Sequence, residues 1–232
     1  MNIGLASAND CASNSTLDEL ATLETQRLMQ HPAALRFGLE DMAINLSISA
    51  NNSGECQAIL SLTFPQEDLD TVNAHLDQNP AKRILLGAQG YSVPAENQFV
   101  VPYLFALENN QITARNAENR PYQDMHNSLE FMYQLLTQLR AEPVVGATPA
   151  AWDSQTASRI SSACSLELQT SIGDIEQACS CRSAALNKTY SAMQMALIED
   201  LQAHPYSKTT DAVRQFNALT KEIHQSCGLI AR

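Results

Sequence analysis

Apolar and polar residues alternate strictly in two stretches of the chain. Ile44, Leu46 and Ile48 are separated by Asn45 and Ser47, and after Asn51-Asn52-Ser53-Gly54 the pattern resumes at Cys56, Ala58, Leu60, Leu62 and Phe64. A period of two is what a strand with one buried face requires, and the residues between the runs are turn formers. The pair predicts a β-hairpin with Cys56 on its apolar face. Upstream, Thr16-Leu17-Asp18-Glu19 has the form of a capping box and predicts a helix over about 17–30, closed by Pro32. After Pro65, Leu69, Val72 and Leu76 recur at helical spacing until Asn79-Pro80 breaks the pattern. Residues 84–86, 99–107 and 111–115 read as further strands, and Pro102 places the second of these at a sheet edge or a bulge. Met125, Leu129, Met132, Leu136 and Leu139 then fall on one helical stripe. Residues 9–145 therefore read as an α+β domain, a sheet of about five mostly antiparallel strands with helices on one face.

Strand signals stop where Pro143, Gly146 and Pro149 give residues 141–153 the composition of a linker, with the linker proper set at 146–153. In 154–232, Leu186, Tyr190, Met193, Leu197 and Leu201 form one helical stripe that ends at His204-Pro205. Val213, Phe216, Thr220, Ile223 and Cys227 form another, with Gly228 placed as a C-terminal cap. This part reads as a small bundle of three or four helices, and a chain of 232 residues has room for both domains.

Charge narrows the choice of partners. The chain carries 25 Asp+Glu against 14 Lys+Arg, a formal charge of −11. The first 142 residues hold 17 acidic and 7 basic side chains, the remainder 8 and 7. A phosphate backbone is a poor partner for such a surface, since nucleic-acid affinity comes from cations that displace condensed counterions. No apolar run reaches the ~18 residues that would span a bilayer, so no integral membrane segment is expected. Met1 to Leu5 is short and apolar, and Ala6-Ser7-Ala8 has the small-x-small form of a signal-peptidase site. Residues 1–8 thus read as the remnant of an export signal, which places the protein in the periplasm or outside the cell.

In an oxidising compartment an even number of cysteines implies disulfides, and there are six: Cys11, Cys56, Cys164, Cys179, Cys181 and Cys227. Residues two apart on a helix point about 200° away from one another, so Cys179 and Cys181 each need a different partner. The parsimonious connectivity ties one to Cys164 and the other to Cys227, and leaves Cys11 and Cys56 to clip the N-terminal arm to the hairpin. Sequence does not choose among the fifteen pairings of six cysteines. In a reducing compartment, Cys179, Cys181, His224 and Cys227 would instead supply the thiolates and imidazole of a tetrahedral zinc site.

Catalytic motifs are missing. His31 and His204 each precede a proline, His75 and His126 lie in predicted helices beside polar residues, and all four read as surface histidines. No glycine-rich phosphate loop, zinc-protease motif or nucleophile elbow occurs. No cofactor is implied and no enzyme is expected. Glu67, Asp68 and Asp70 suit the first turn of a helix by its dipole and are also candidates for steering a basic protein partner. Trp152, the one tryptophan, reads as packing between the domains or as an anchor for a partner.

Ala185-Leu186-Asn187-Lys188-Thr189-Tyr190 lies on a helix that follows cysteines and precedes a cysteine-terminated one. It resembles the Leu-Asn-x-x-Tyr core of the small lysozyme-inhibitor-like helical domains exported to bacterial envelopes. The resemblance spans residues 160–230 at most. The family's cysteine lies farther ahead of the Leu-Asn pair, its preceding Ala-Asp is absent, and the tryptophan of its last helix has no counterpart around 216–227. What it implies is a cysteine-stapled helical module whose founding activity is non-catalytic inhibition of lysozyme. The expected function is accordingly that of an exported protein-binding protein, an inhibitor or immunity-like partner of a lysozyme or other peptidoglycan hydrolase. The alternative is a periplasmic secretion chaperone or assembly factor for a secreted client.

Overall fold

A computed structural model describes residues 11, 13–31, 33–52, 55–108, 111–144, 146–167, 174–204 and 210–229. The export-signal remnant at 1–8, the turn residues Ser53-Gly54 and the helix-closing Pro32 and Pro205 lie outside the described residues. The chain divides into two compact units, Met1–Leu136 and Thr137–Arg232.

In the first unit, α1 (Asn14–Gln30) starts three residues earlier than its capping pattern predicts. Ser13 is the N-cap and accepts a hydrogen bond from the Thr16 amide, so Thr16 belongs to the helix body and is buried. After α2 (Ala33–Leu39) the hairpin forms as expected, β1 (Ala43–Asn52) antiparallel to β2 (Glu55–Thr63) with Ile44 opposite Leu62 and Leu46 opposite Leu60. Then follow α3 (Gln66–Gln78), α4 (Pro80–Ala88), β3 (Gln98–Glu108), β4 (Gln111–Ala114) and α5 (Arg120–Ala141), whose residues to Leu136 belong to this unit. The sheet has four strands in the order β1-β2-β3-β4, not five. The expected strand at 84–86 is part of α4, because Pro80 at the first helical position presets its φ, and of Ile84, Leu85 and Leu86 only the isoleucine is β-branched while the two leucines favour helix.

Pro102 sits on an inner strand, but locally it faces an edge. The Leu104 amide and carbonyl point to the β4 side, where they meet Asn116 Oδ1 at 2.8 Å and the Arg115 amide at 2.8 Å. By alternation Pro102 faces the same way, and β4 pairs only as far as Phe105. The Pro102 carbonyl accepts from the Asn119 side-chain amide instead, at 2.7 Å. One sheet face, Ala58, Leu60, Leu62, Val101, Tyr103 and Phe105, is buried, and Leu20, Leu28, Leu69, Val72, Leu129 and Met132 supply the helical side of the core. Gly38 on α2 lets the Tyr133 ring come close, since a Cβ there would lie 1.8 Å from it.

The second unit contains α6 (Ser154–Glu167), α7 (Ile175–Asn187), α8 (Ala192–Ala203) and α9 (Asp211–Ser226) around Trp152, Ile160, Leu186, Tyr190, Leu197, Ile198, Val213 and Phe216. The stripe expected from Leu186 to Leu201 is interrupted. Ser191 and Gln194 form a capping box that starts α8 afresh, so Met193 turns outward while Met195 and Ile198 enter the core. Gly228 has φ +72° and the Leu229 amide reaches the His224 carbonyl at 2.8 Å, the left-handed cap that the sequence predicts.

Candidate functional site

All six cysteines are bonded, as Cys11–Cys56, Cys164–Cys179 and Cys181–Cys227, with Cα separations of 6.1, 5.7 and 5.8 Å. From one helix, α7, Cys179 reaches α6 and Cys181 the end of α9, which is the divergence that their spacing demands. With Cys179, Cys181 and Cys227 so used, the alternative zinc set retains His224 alone.

The three carboxylates after Pro65 do not act together. Glu67 and Asp70 are exposed, and Asp70 Oδ1 accepts from Gln66 Nε2 at 2.8 Å. Asp68 is buried and takes the Tyr133 hydroxyl at 2.8 Å, which ties α3 to α5. Trp152 is 9% exposed and belongs to the core of the second unit, where its Nε1 donates to the Tyr190 carbonyl at 2.8 Å. Its indole walls a cavity of about 220 Å³ shared with Ser161, Ser183 and Asn187. Of the family-like motif, Leu186 and Tyr190 are buried and Asn187 ends α7, the same helix that carries Cys179 and Cys181.

The most concentrated chemistry lies elsewhere in the first unit. Glu24, 0% exposed in the middle of α1, receives the Tyr122 hydroxyl at 2.9 and 2.7 Å and stands 2.8 Å from His126 Nε2. The Tyr103 hydroxyl reaches the same carboxylate, and the Arg27 guanidinium lies 5.0 Å above the Tyr122 ring. Burial first, then the Glu24 charge, push the Tyr122 and Tyr103 hydroxyls well above the usual tyrosine range. His126, read from sequence as a surface residue, is only 4% exposed, and its ring stacks on His31 at 5.5 Å. Burial, and then the neighbouring His126, hold His31 below the usual imidazole range, against a smaller upward pull from Glu130. Both Glu24 oxygens are thus engaged, and the group clamps α1 to β3 and α5. Its trace in the sequence is a Glu at every-fourth spacing within Thr16, Leu20, Glu24 and Leu28, where a carboxylate on an apolar stripe demands buried donors.

On the surface, α4 is the exception to the pattern of the other helices. It has no buried residue, and Ile84 and Leu85 are 74% and 58% exposed. In the second unit, Val144 and Met193 stand exposed at a groove of about 410 Å³ whose one cation is Arg140. No protein-family profile matches the chain, and no curated protein or solved structure is significantly similar to it.

Proposed function

We propose that the protein is exported and works by binding another protein, in its preferred form as an inhibitor or immunity-like partner of a lysozyme or other peptidoglycan hydrolase. The observation that carries this reading is α4, a helix whose Ile84 and Leu85 face solvent in a unit of strongly negative charge. Exposed apolar side chains inside a polar surround supply contact energy, and an acidic field speeds encounter with a basic target. The three disulfides and the want of any described helix long and apolar enough to cross a membrane fit an extracellular or periplasmic setting. The resemblance of residues 185–190 to the lysozyme-inhibitor-like domains adds the target class. The test is cell-wall lysis by a basic lysozyme titrated with the protein. Loss of lysis that saturates at one equivalent, and that Ile84→Glu with Leu85→Glu removes, is the expected result. Undiminished lysis at large excess would overturn the hydrolase target.

A second reading, a chaperone for a secreted client, draws on the apolar groove beside Met193 in the second unit. One secreted protein captured from an envelope extract, lost on Met193→Glu and kept on Ile84→Glu, would favour it.

A further inference from the structure

We infer that β1 is an interface for a second copy of this chain, the two β1 strands pairing antiparallel across a two-fold axis at Asn45. Sheet order leaves β1 at an edge, and among the described residues no backbone group bonds to its outer side between Ala43 and Ser47. Which groups face out follows from the ladder. Leu104 points toward β4, so Val101 and Tyr103 point toward β2; their partners Leu60 and Ala58 face β3, and Ser61 and Ile59 face β1. Asn45 and Ser47 are therefore bonded to β2, and the amides and carbonyls of Ile44 and Leu46 point away from the sheet.

Natural edges are blunted by a charge, a proline or a bulge; β1 contains neither of the first two, and its register irregularity lies between Ile48 and Ala50, beyond the segment that would pair. Its apolar layer is also unfinished, because Ile44 and Leu46 are half-buried whereas their partners Leu62 and Leu60 are fully buried. An extended segment satisfies a row of alternating amides and carbonyls as water does, and adds the burial of side chains that water does not. The strand itself meets the requirement: with Asn45 opposite Asn45 of the second copy, Ile44 falls opposite Leu46 in both directions. Those two pairs exchange four backbone hydrogen bonds and bury apolar side chains on the face that already holds the core, and Asn45 forms the closely spaced non-bonded pair on the outer face. The symmetry is isologous and closes at a dimer.

Two variants of opposite sign test this on the whole chain. Asn45→Lys places like charges directly opposite one another on the axis and Ser47→Lys adds a second one diagonal to it, and Asn45→Glu with Ser47→Glu does the same with the other sign. Sedimentation equilibrium should give wild-type masses that rise from 25.4 kDa toward twice that value, more readily at high salt because the copies repel through their net charge of −11. Each variant alone should dimerise about tenfold more weakly or not at all, and an equimolar mixture of the two should recover the dimer. Net charge alone makes the opposite forecast for the lysine variant, which is less negative than wild type and would then associate more strongly. Melting curves unchanged from wild type establish that the variants fold, since both positions are exposed. A wild-type chain that stays monomeric at millimolar concentration in high salt would overturn the inference, and so would a mixture that fails to recover dimer.

Discussion

The two units solve the problem of a modest core in different ways. The first has a sheet backed by helices and keeps two carboxylates inside it, Glu24 and Asp68, each met by tyrosine hydroxyls, and one disulfide near the hairpin end. The second has an all-helical apolar core crossed by two disulfides that share one helix. A buried carboxylate is stable only where its donors are fixed by a larger scaffold, and a sheet with long helices supplies that. A bundle of short helices buries less per residue and is held by limiting its unfolded chain. The difference teaches what should break each unit: proton balance and packing for the first, reduction for the second.

The largest effect is expected from the covalent staples. Sequence separations of 15 for Cys164–Cys179 and 46 for Cys181–Cys227 correspond to about 3 and 4 kcal/mol of chain-entropy stabilisation. Replacing both pairs by serine should leave the second unit unfolded at room temperature by far-ultraviolet circular dichroism, while the first unit retains a cooperative urea transition. A single transition lost for the whole chain would mean that the units are not separately stable.

Next comes the buried clamp. Glu24→Gln leaves His126 and two tyrosine hydroxyls around a neutral amide and should cost the first unit about 3 kcal/mol, read as a lowered urea midpoint. An unchanged midpoint would show that the carboxylate contributes nothing net. Gly38→Ala should be milder, about 2 kcal/mol, because its methyl forces the Tyr133 ring away from Asp68.

The smallest effect concerns pH. His31, surrounded by Glu24, Arg27, His126 and Glu130, binds its proton less readily folded than unfolded. Stability from this source is therefore present above the ordinary imidazole value of 6.5 and is lost as pH falls below it. The tyrosines work in the other direction: Tyr122 and Tyr103 hold their protons when folded, so the first unit should also weaken as pH rises past 10.0. Replacing His31 by glutamine should flatten the acid limb and leave the alkaline one, which pH-dependent melting can follow.

Much of this architecture was legible in the residues. Alternation gave the hairpin and its register face, the Cys-x-Cys spacing required two separate partners, and Gly228 marked a left-handed cap. Helix starts were less legible: Ser13 took the cap from Thr16, and Ser191 divided a stripe that looked continuous, because capping is decided by single side-chain hydrogen bonds. The strand expected at 84–86 failed for a related reason, since Pro80 starts a helix that Leu85 and Leu86 favour and Ile84 alone does not resist. The clamp was the least legible feature. Glu24 and His126 are 102 residues apart, and no local pattern pairs them. Only the fold reveals that the polar residues on two apolar stripes satisfy one another.

The contrast between the units is tested most directly by hydrogen exchange followed by mass spectrometry on the intact chain, at neutral pH with and without reductant and again below pH 6.5 without it. With every rate divided by the intrinsic amide rate at its own pH, the expected result is that reductant speeds exchange mainly in α6, α7 and α9, while acid speeds it mainly in α1 and the first turns of α5. Equal acceleration of both units by either treatment would contradict the account.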